Sequence, residues 1–318
     1  MGYDISFHPI DLRLVEERLT PFLAGRGSDD DLDDLVADAV RQAKVRFRAN
    51  AWGLGTLKAC ARTDFDASLY VWGRPFFVTA DAPEAVAETV LRYTKAEVGE
   101  VDELARTQLA QLDRALLDRV EPDTAGTLPA DEHLATGFRW KLDLLREAAA
   151  AVRAGRPSIR NADGDDIDAA DALTGNAQFA LVEFLAALLP GWIQRGRLWP
   201  TELAESAATD GYAPLGGNDP LLGVLPAEFP TLTWESNWTI PTNYAIGGYA
   251  APAEVGPLRD WLARNAEPLE AVGDQWNDRA SVRLALRKID EALALAELTG
   301  SGFAEAAEIY IPMEGSMN

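Results

Sequence analysis

One cysteine and two histidines are all the thiol and imidazole chemistry this chain carries. His8 lies in Phe7-His8-Pro9-Ile10-Asp11, after an alternation of Tyr3, Ile5 and Phe7 that predicts a short strand over residues 3–10. A histidine at a strand end, with Asp4 or Asp11 to orient it, has the makings of a general base. Its plainer role is structural, bonded to a loop carbonyl. His133 follows Asp131 and Glu132 and reads as a solvated residue in the first turn of a helix. Cys60 has Lys58 and Arg62 beside it, bases that lower a thiol pKa; a structural thiol remains the simpler assignment.

The most unusual stretch is Thr233-Trp234-Glu235-Ser236-Asn237-Trp238-Thr239-Ile240-Pro241-Thr242-Asn243-Tyr244. Its alternation predicts a strand over Thr231–Ile240, with Trp234, Ser236, Trp238 and Ile240 on one face and Glu235, Asn237 and Thr239 on the other. Pro241 breaks the strand, and Asn243 and Tyr244 then fold over the polar face. Trp234, Asn237, Trp238, Asn243 and Tyr244 are therefore the candidate ligand-binding residues. Stacking rings and amides suit a small polar ligand such as a sugar, nucleoside or peptide. Glu235 joins His8 and Asp4 as a candidate catalytic group if the N-terminal strand pairs nearby. The plain reading is a core filled by the tryptophans with the polar face in water.

Several standard chemistries are excluded. No Gly-Lys pair occurs, so there is no P-loop, and Gly53-Leu54-Gly55 meets Lys58 where a dinucleotide fingerprint needs glycine. There is neither a Gly-x-Ser-x-Gly elbow nor a His-Glu-x-x-His helix. Asn161, Asp163 and Asp165 stand at alternate positions like the start of a calcium loop. Asp166 falls where that loop needs glycine, however, and Ala172 where it needs glutamate. A solvated acidic loop that caps the next helix fits better. No metal and no organic cofactor is expected.

Fifty-one acids against twenty-nine bases give a net charge of −22. Such a surface repels duplex nucleic acid and anionic membranes and attracts basic proteins. The lone cysteine rules out an intrachain disulfide and any multi-cysteine metal site. The apolar run Phe179–Ile193 is broken by Glu183, Pro190 and Gly191, too short to span a bilayer. With an acidic start that is unlike a secretory signal, these features lead us to expect a cytoplasmic protein.

The elements that must position these residues are mostly helical. Ser28 with Asp31 forms a capping box ahead of a helical pattern from Leu32 to Phe47. Further helices are predicted over Asp11–Leu23, from an Asp81 cap to Val98, and over Val101–Val120, Ala130–Arg153, Ala169–Leu189, Glu254–Asn265 and Asp278–Leu298. Short strands are predicted at Leu69–Trp72, Pro75–Thr79 and Glu308–Ile311, the last able to pair with the N-terminal strand. A long loop is expected over residues 208–230.

The expected fold class is α+β: predominantly helical, with a small mixed or antiparallel sheet to which both chain ends contribute. The polar stretch 156–168 would separate lobes 1–155 and 169–318, or lie within one compact domain. Two functions fit. One is an acidic binding protein, for example an inhibitor or immunity-type partner of a basic protein. The other is a hydrolase or small-polar-ligand enzyme using His8 and neighbouring carboxylates.

Overall fold

Alternation in the first strand sends its side chains to two different cores. The computed structural model describes residues 4–60, 78, 80–124, 126–161, 163–196, 198–207, 215–276 and 278–309. In it β1 (Asp4–Ile10) directs Ile5 and Phe7 to one face of a sheet and Ser6, His8 and Ile10 to the other. The sheet is antiparallel and four-stranded, in the order β4 (Trp192–Arg195), β1, β6 (Gly302–Ala307), β5 (Ile246–Ala250). In the register, His8 stands opposite Ala304 and Phe7 stands opposite Glu305 and Trp192. Both ends of the chain thus contribute to one sheet, as the sequence predicts.

Helices cover both faces. The first helical segment is α1 (Leu12–Leu14), a π-turn (Val15–Leu19) and α2 (Thr20–Leu23). α3 (Asp33–Cys60) follows the Ser28–Asp31 capping box, in which the Ser28 amide donates to Asp31 at 2.8 Å. α4 (Pro83–Lys95) and α5 (Val101–Leu112) precede α6 (Asp131–Arg153), and a hairpin of β2 (Ser158–Arg160) and β3 (Asp166–Asp168) leads to α7 (Ala169–Leu188). α8 (Pro200–Ser206), α9 (Leu225–Glu228), α10 (Pro252–Arg264), α11 (Ala266–Val272) and α12 (Arg279–Thr299) complete the set.

One core joins the His8 face of the sheet to α2, α3, α6 and α7; the other joins the Phe7 face to α4, α10 and α12. The helices on either side of the 156–168 hairpin share the first of these cores. No helix among the described residues is long and apolar enough to cross a membrane.

Local signals explain many boundaries. Asp168 accepts from the Asp171 amide at 2.9 Å and caps α7, and Asp278 accepts from Ser281 at 3.2 Å and caps α12. α12 stops at Gly300, whose φ of +67° suits glycine and lets the Ser301 amide reach back to Ala296 at 2.8 Å.

Other expectations need correction. Residues 231–240 form no strand; the strand of that region starts later, at Ile246. Glu308 and Ile309 also lie outside the ladder, and the partner of β1 is the segment Gly302–Ala307 just before them. Asp81 does not cap α4, whose N-cap is Ala82 with Pro83 opening the helix. Asp219–Leu222 and α9 supply short helical turns where a loop is expected. The predicted strand Leu69–Trp72 lies outside the described residues, as does almost all of Pro75–Thr79.

β1 and β4 approach so closely that Gly191, opposite His8, has no room for a side chain. A Cβ there would lie 2.3 Å from His8 Nδ1 and 2.4 Å from the Phe7 carbonyl oxygen. Gly191→Ala is therefore expected to cost about 1–3 kcal/mol, the usual penalty of overpacking. Urea unfolding would measure it, and an unchanged midpoint would contradict this packing.

Candidate functional site

His8 lies inside the molecule. It is 1 % exposed, and neither ring nitrogen has a hydrogen-bond partner among the described residues. Nearby Arg46, from α3, is half-buried and donates to the carbonyls of Ala186 and Ala187 at 2.9 and 2.8 Å. Burial, aided by the Arg46 charge, pushes the His8 pKa down to about 3. The imidazole is neutral at any ordinary pH.

No carboxylate orients it. Asp4 sits four residues back on β1, about 13 Å along an extended chain. Asp11 is used to cap α1, accepting from the Leu14 amide at 3.1 Å. Glu235 is exposed on a loop. His8, Asp4 and Glu235 are thus not within bonding reach of one another. His133 is exposed at the start of α6.

The Trp234–Tyr244 segment is held by a buried asparagine that sequence reasoning missed. Asn218 is 0 % exposed. Its Oδ1 accepts from the Asn237 amide at 2.9 Å and from Gln178 Nε2 at 2.9 Å, and its Nδ2 donates to the Ile246 carbonyl at 2.8 Å. Its own amide donates to the Asn237 carbonyl at 3.1 Å. One side chain therefore ties the Asn237 amide and the Ile246 carbonyl together in the interior.

Asn237 is half-buried in this network, and Trp234 is half-buried against the larger core. Trp238, Asn243 and Tyr244 are exposed. Of the five candidate ligand-binding residues, Tyr244 lines a pocket together with residues far away in sequence.

That pocket, about 440 Å³, lies between α6, α7 and the β2–β3 loop. Trp140 and Leu144 come from one helical stripe of α6, Phe179 and Ala180 from α7, and Asn161 and Asp163 from the loop. Phe179 and Tyr244 meet edge to face with ring centroids 6.0 Å apart. On the other side of the Trp140–Leu144 ridge lies a second pocket of about 470 Å³, bounded by Asp33, Val36, Arg139, Asp143 and Glu147.

The bases here are already engaged. Arg139 donates to Asp143 at 3.0 Å and to Asp33 at 3.0 Å, while Lys141 reaches Glu183 at 2.7 Å. The Lys141 ammonium also lies 5.0 Å from the Phe179 ring centroid and 5.4 Å from that of Trp140. Burial raises the Glu183 carboxyl above the usual range, with Lys141 opposing the shift.

The acidic loop bonds to itself. Asn161 Oδ1 accepts from the amides of Asp163 and Asp165 at 3.0 and 2.8 Å and so closes the hairpin turn. No group of three or more His, Cys, Asp or Glu side chains suited to a metal ion occurs among the described residues.

A buried acid, Glu305 on β6, is also absent from the residues that the sequence singles out. It is 0 % exposed and accepts from the Thr201 amide at 3.2 Å, the Thr201 hydroxyl at 2.5 Å and the Gly248 amide at 3.1 Å. Burial lifts its pKa to about 7 against the pull of these bonds. A lone acid amid small apolar residues, Phe303-Ala304-Glu305-Ala306-Ala307, was the available signal. It clasps α8 to β5 and β6, sealed from solvent.

No family model matches the chain, and no curated protein or solved structure matches it.

The two buried groups set opposing pH dependences. His8 titrates at about 3 folded against 6.5 unfolded, so the unfolded chain takes the proton first and stability falls as pH drops through that window. Glu305 titrates at about 7 folded against 4.5 unfolded, so its contribution is lost as pH rises from 4.5 to 7.

His8→Leu should leave stability at neutral pH equal or higher by about 1 kcal/mol, since it removes unpaired buried nitrogens. Its advantage over the parent should grow below pH 6.5, by up to about 1.4 kcal/mol per pH unit. Unfolding midpoints across that range would show it; parallel curves would mean that His8 is protonated inside the fold.

Tyr244 has φ +56°, a left-handed conformation that costs a side chain about 1–2 kcal/mol. Tyr244→Gly should accordingly raise the thermal midpoint, and a lower midpoint would mean that the ring is needed by the fold.

Proposed function

We propose that this chain is a non-catalytic binding protein for a basic polypeptide, of the inhibitor or immunity-protein kind, which docks on the Trp140–Leu144 ridge of α6. The observation that carries the reading is the ridge itself. An indole 47 % exposed stands between two pockets, with Glu147 and Asp163 around it and the neighbouring bases Arg139 and Lys141 already held by Asp143, Asp33 and Glu183. Tryptophan is enriched among the residues that anchor interfaces, and unpaired acids beside it favour a cationic partner.

The net charge of −22 acts in the same direction, drawing basic proteins and repelling duplex nucleic acid and anionic membranes. The single cysteine suits a reducing compartment such as the cytoplasm. An enzyme built on His8 and neighbouring carboxylates has less behind it, because His8 is buried and neutral and no carboxylate orients it.

The test is retention of proteins from a lysate of the source organism on immobilised parent and Trp140→Ala protein. A basic protein should be retained at low salt and released at high salt, as screening shortens to about 8 Å or less. Its affinity for Trp140→Ala should be roughly thirtyfold weaker, the loss expected of an anchor residue. Retention of acidic proteins alone, or equal retention by the variant, would contradict the proposal.

A further inference from the structure

We infer that the pocket between Trp140, Phe179 and Tyr244 receives one uncharged aromatic side chain of the partner, flanked in the partner's sequence by lysine or arginine. This rests on the basic-partner reading and adds the recognition element.

Four large apolar side chains are notably exposed among the described residues: Trp140, Trp238, Tyr244 and Leu298. Two of them, Trp140 and Tyr244, line this one pocket, although they are distant in sequence. Its volume of about 440 Å³ holds one large side chain with room for water, and Leu145, Ile167 and Ala180 line it along with the rings. Phe179 and Tyr244, 73° apart in plane, already form an edge-to-face pair that a third ring would extend. The Tyr244 ring is 63 % exposed on a backbone conformation that disfavours a side chain. The fold thus tolerates strain to display that ring beside the pocket.

A cationic side chain is the wrong occupant. The Lys141 ammonium already lies over the faces of Phe179 and Trp140, so a second positive group would be repelled. The partner's charges belong outside. Asp163 lies at the rim on one side and Glu147 beyond the Trp140 ridge on the other; both are exposed, and neither carboxylate has an ion pair among the described residues. A ring held inside with cations emerging on both sides describes a chain passing over the pocket. A small molecule filling the pocket would meet Asp163 and leave Glu147, beyond the ridge, untouched.

Calorimetric titration of the full chain with capped pentapeptides tests this. Lys-Lys-Phe-Lys-Lys should bind at least about tenfold more tightly than Lys-Lys-Ala-Lys-Lys, the worth of burying one ring. Glu-Glu-Phe-Glu-Glu should not bind. In Tyr244→Ala the preference for phenylalanine should vanish while the lysine-dependent part remains. Asp163→Asn with Glu147→Gln should weaken both lysine peptides and preserve their ratio, a check independent of the aromatic variant.

Equal binding of the phenylalanine and alanine peptides would overturn the pocket assignment and leave the basic-partner reading in place. Binding of neither would remove both. Equal binding of phenylalanine amide alone would show a small-molecule site and overturn the inference.

Discussion

Everything in this molecule depends on β1 being paired along both edges and covered on both faces. It lies between β4 and β6, with α7 over one side and α12 over the other. A strand so enclosed must satisfy each backbone group by ladder bonds and give each side chain a dry neighbour. Three consequences follow. His8 is stripped of water and stays neutral. Gly191 must lack a side chain where β4 passes the imidazole. Glu305, opposite Phe7, must find its donors within the protein, from Thr201 and Gly248. His8 and Glu305, which resemble catalytic groups in isolation, are thereby closed off inside the fold.

The pocketed surface around Trp140 lies on the outer side of the same construction. α6 and α7 pack together over the sheet and share its larger core. Leu134, Phe138, Leu142 and Leu145 face inward, which turns Trp140 and Leu144 toward the rim. Tyr244 reaches this place because Asn218 pins the preceding loop to α7 through Gln178 and to β5 through Ile246. The pocket and the buried network are therefore mechanically linked, although they share no residue.

Much of this architecture was legible in the sequence. Helical apolar spacing located α3, α6, α7 and α12, and caps at Ser28, Asp168 and Asp278 marked where three helical runs begin. The alternation of Ile5 and Phe7 located β1. The stretch 231–240 misleads because alternating Trp, Thr and Asn imitate a strand, whereas its Asn237 amide bonds the side chain of Asn218 and its Asn237 carbonyl the Asn218 amide. Nothing local distinguishes that asparagine from any other polar loop residue, since its partners lie 19 to 40 residues away.

The candidate site was less legible. The sequence marks Tyr244 as a ligand contact, but nothing in the helical patterns of α6 and α7 sets Trp140 or Phe179 apart. A pocket formed across two helices and a loop has no signature in any one of them.

The placement of β1 also has a consequence in time. Ser6 and its cross-strand neighbour Ala306 are 300 residues apart. During synthesis at about 5–20 residues per second, β1 therefore waits roughly 15–60 s before its central partner exists. Throughout that interval an apolar strand is complete, translated and unpaired on one edge or both, a state prone to joining the wrong chain. The nascent protein must be shielded, by early cover from the helices made next or by a chaperone, until its last strand arrives. The net negative charge of the growing chain, which repels identical chains on neighbouring ribosomes, helps to keep that interval safe.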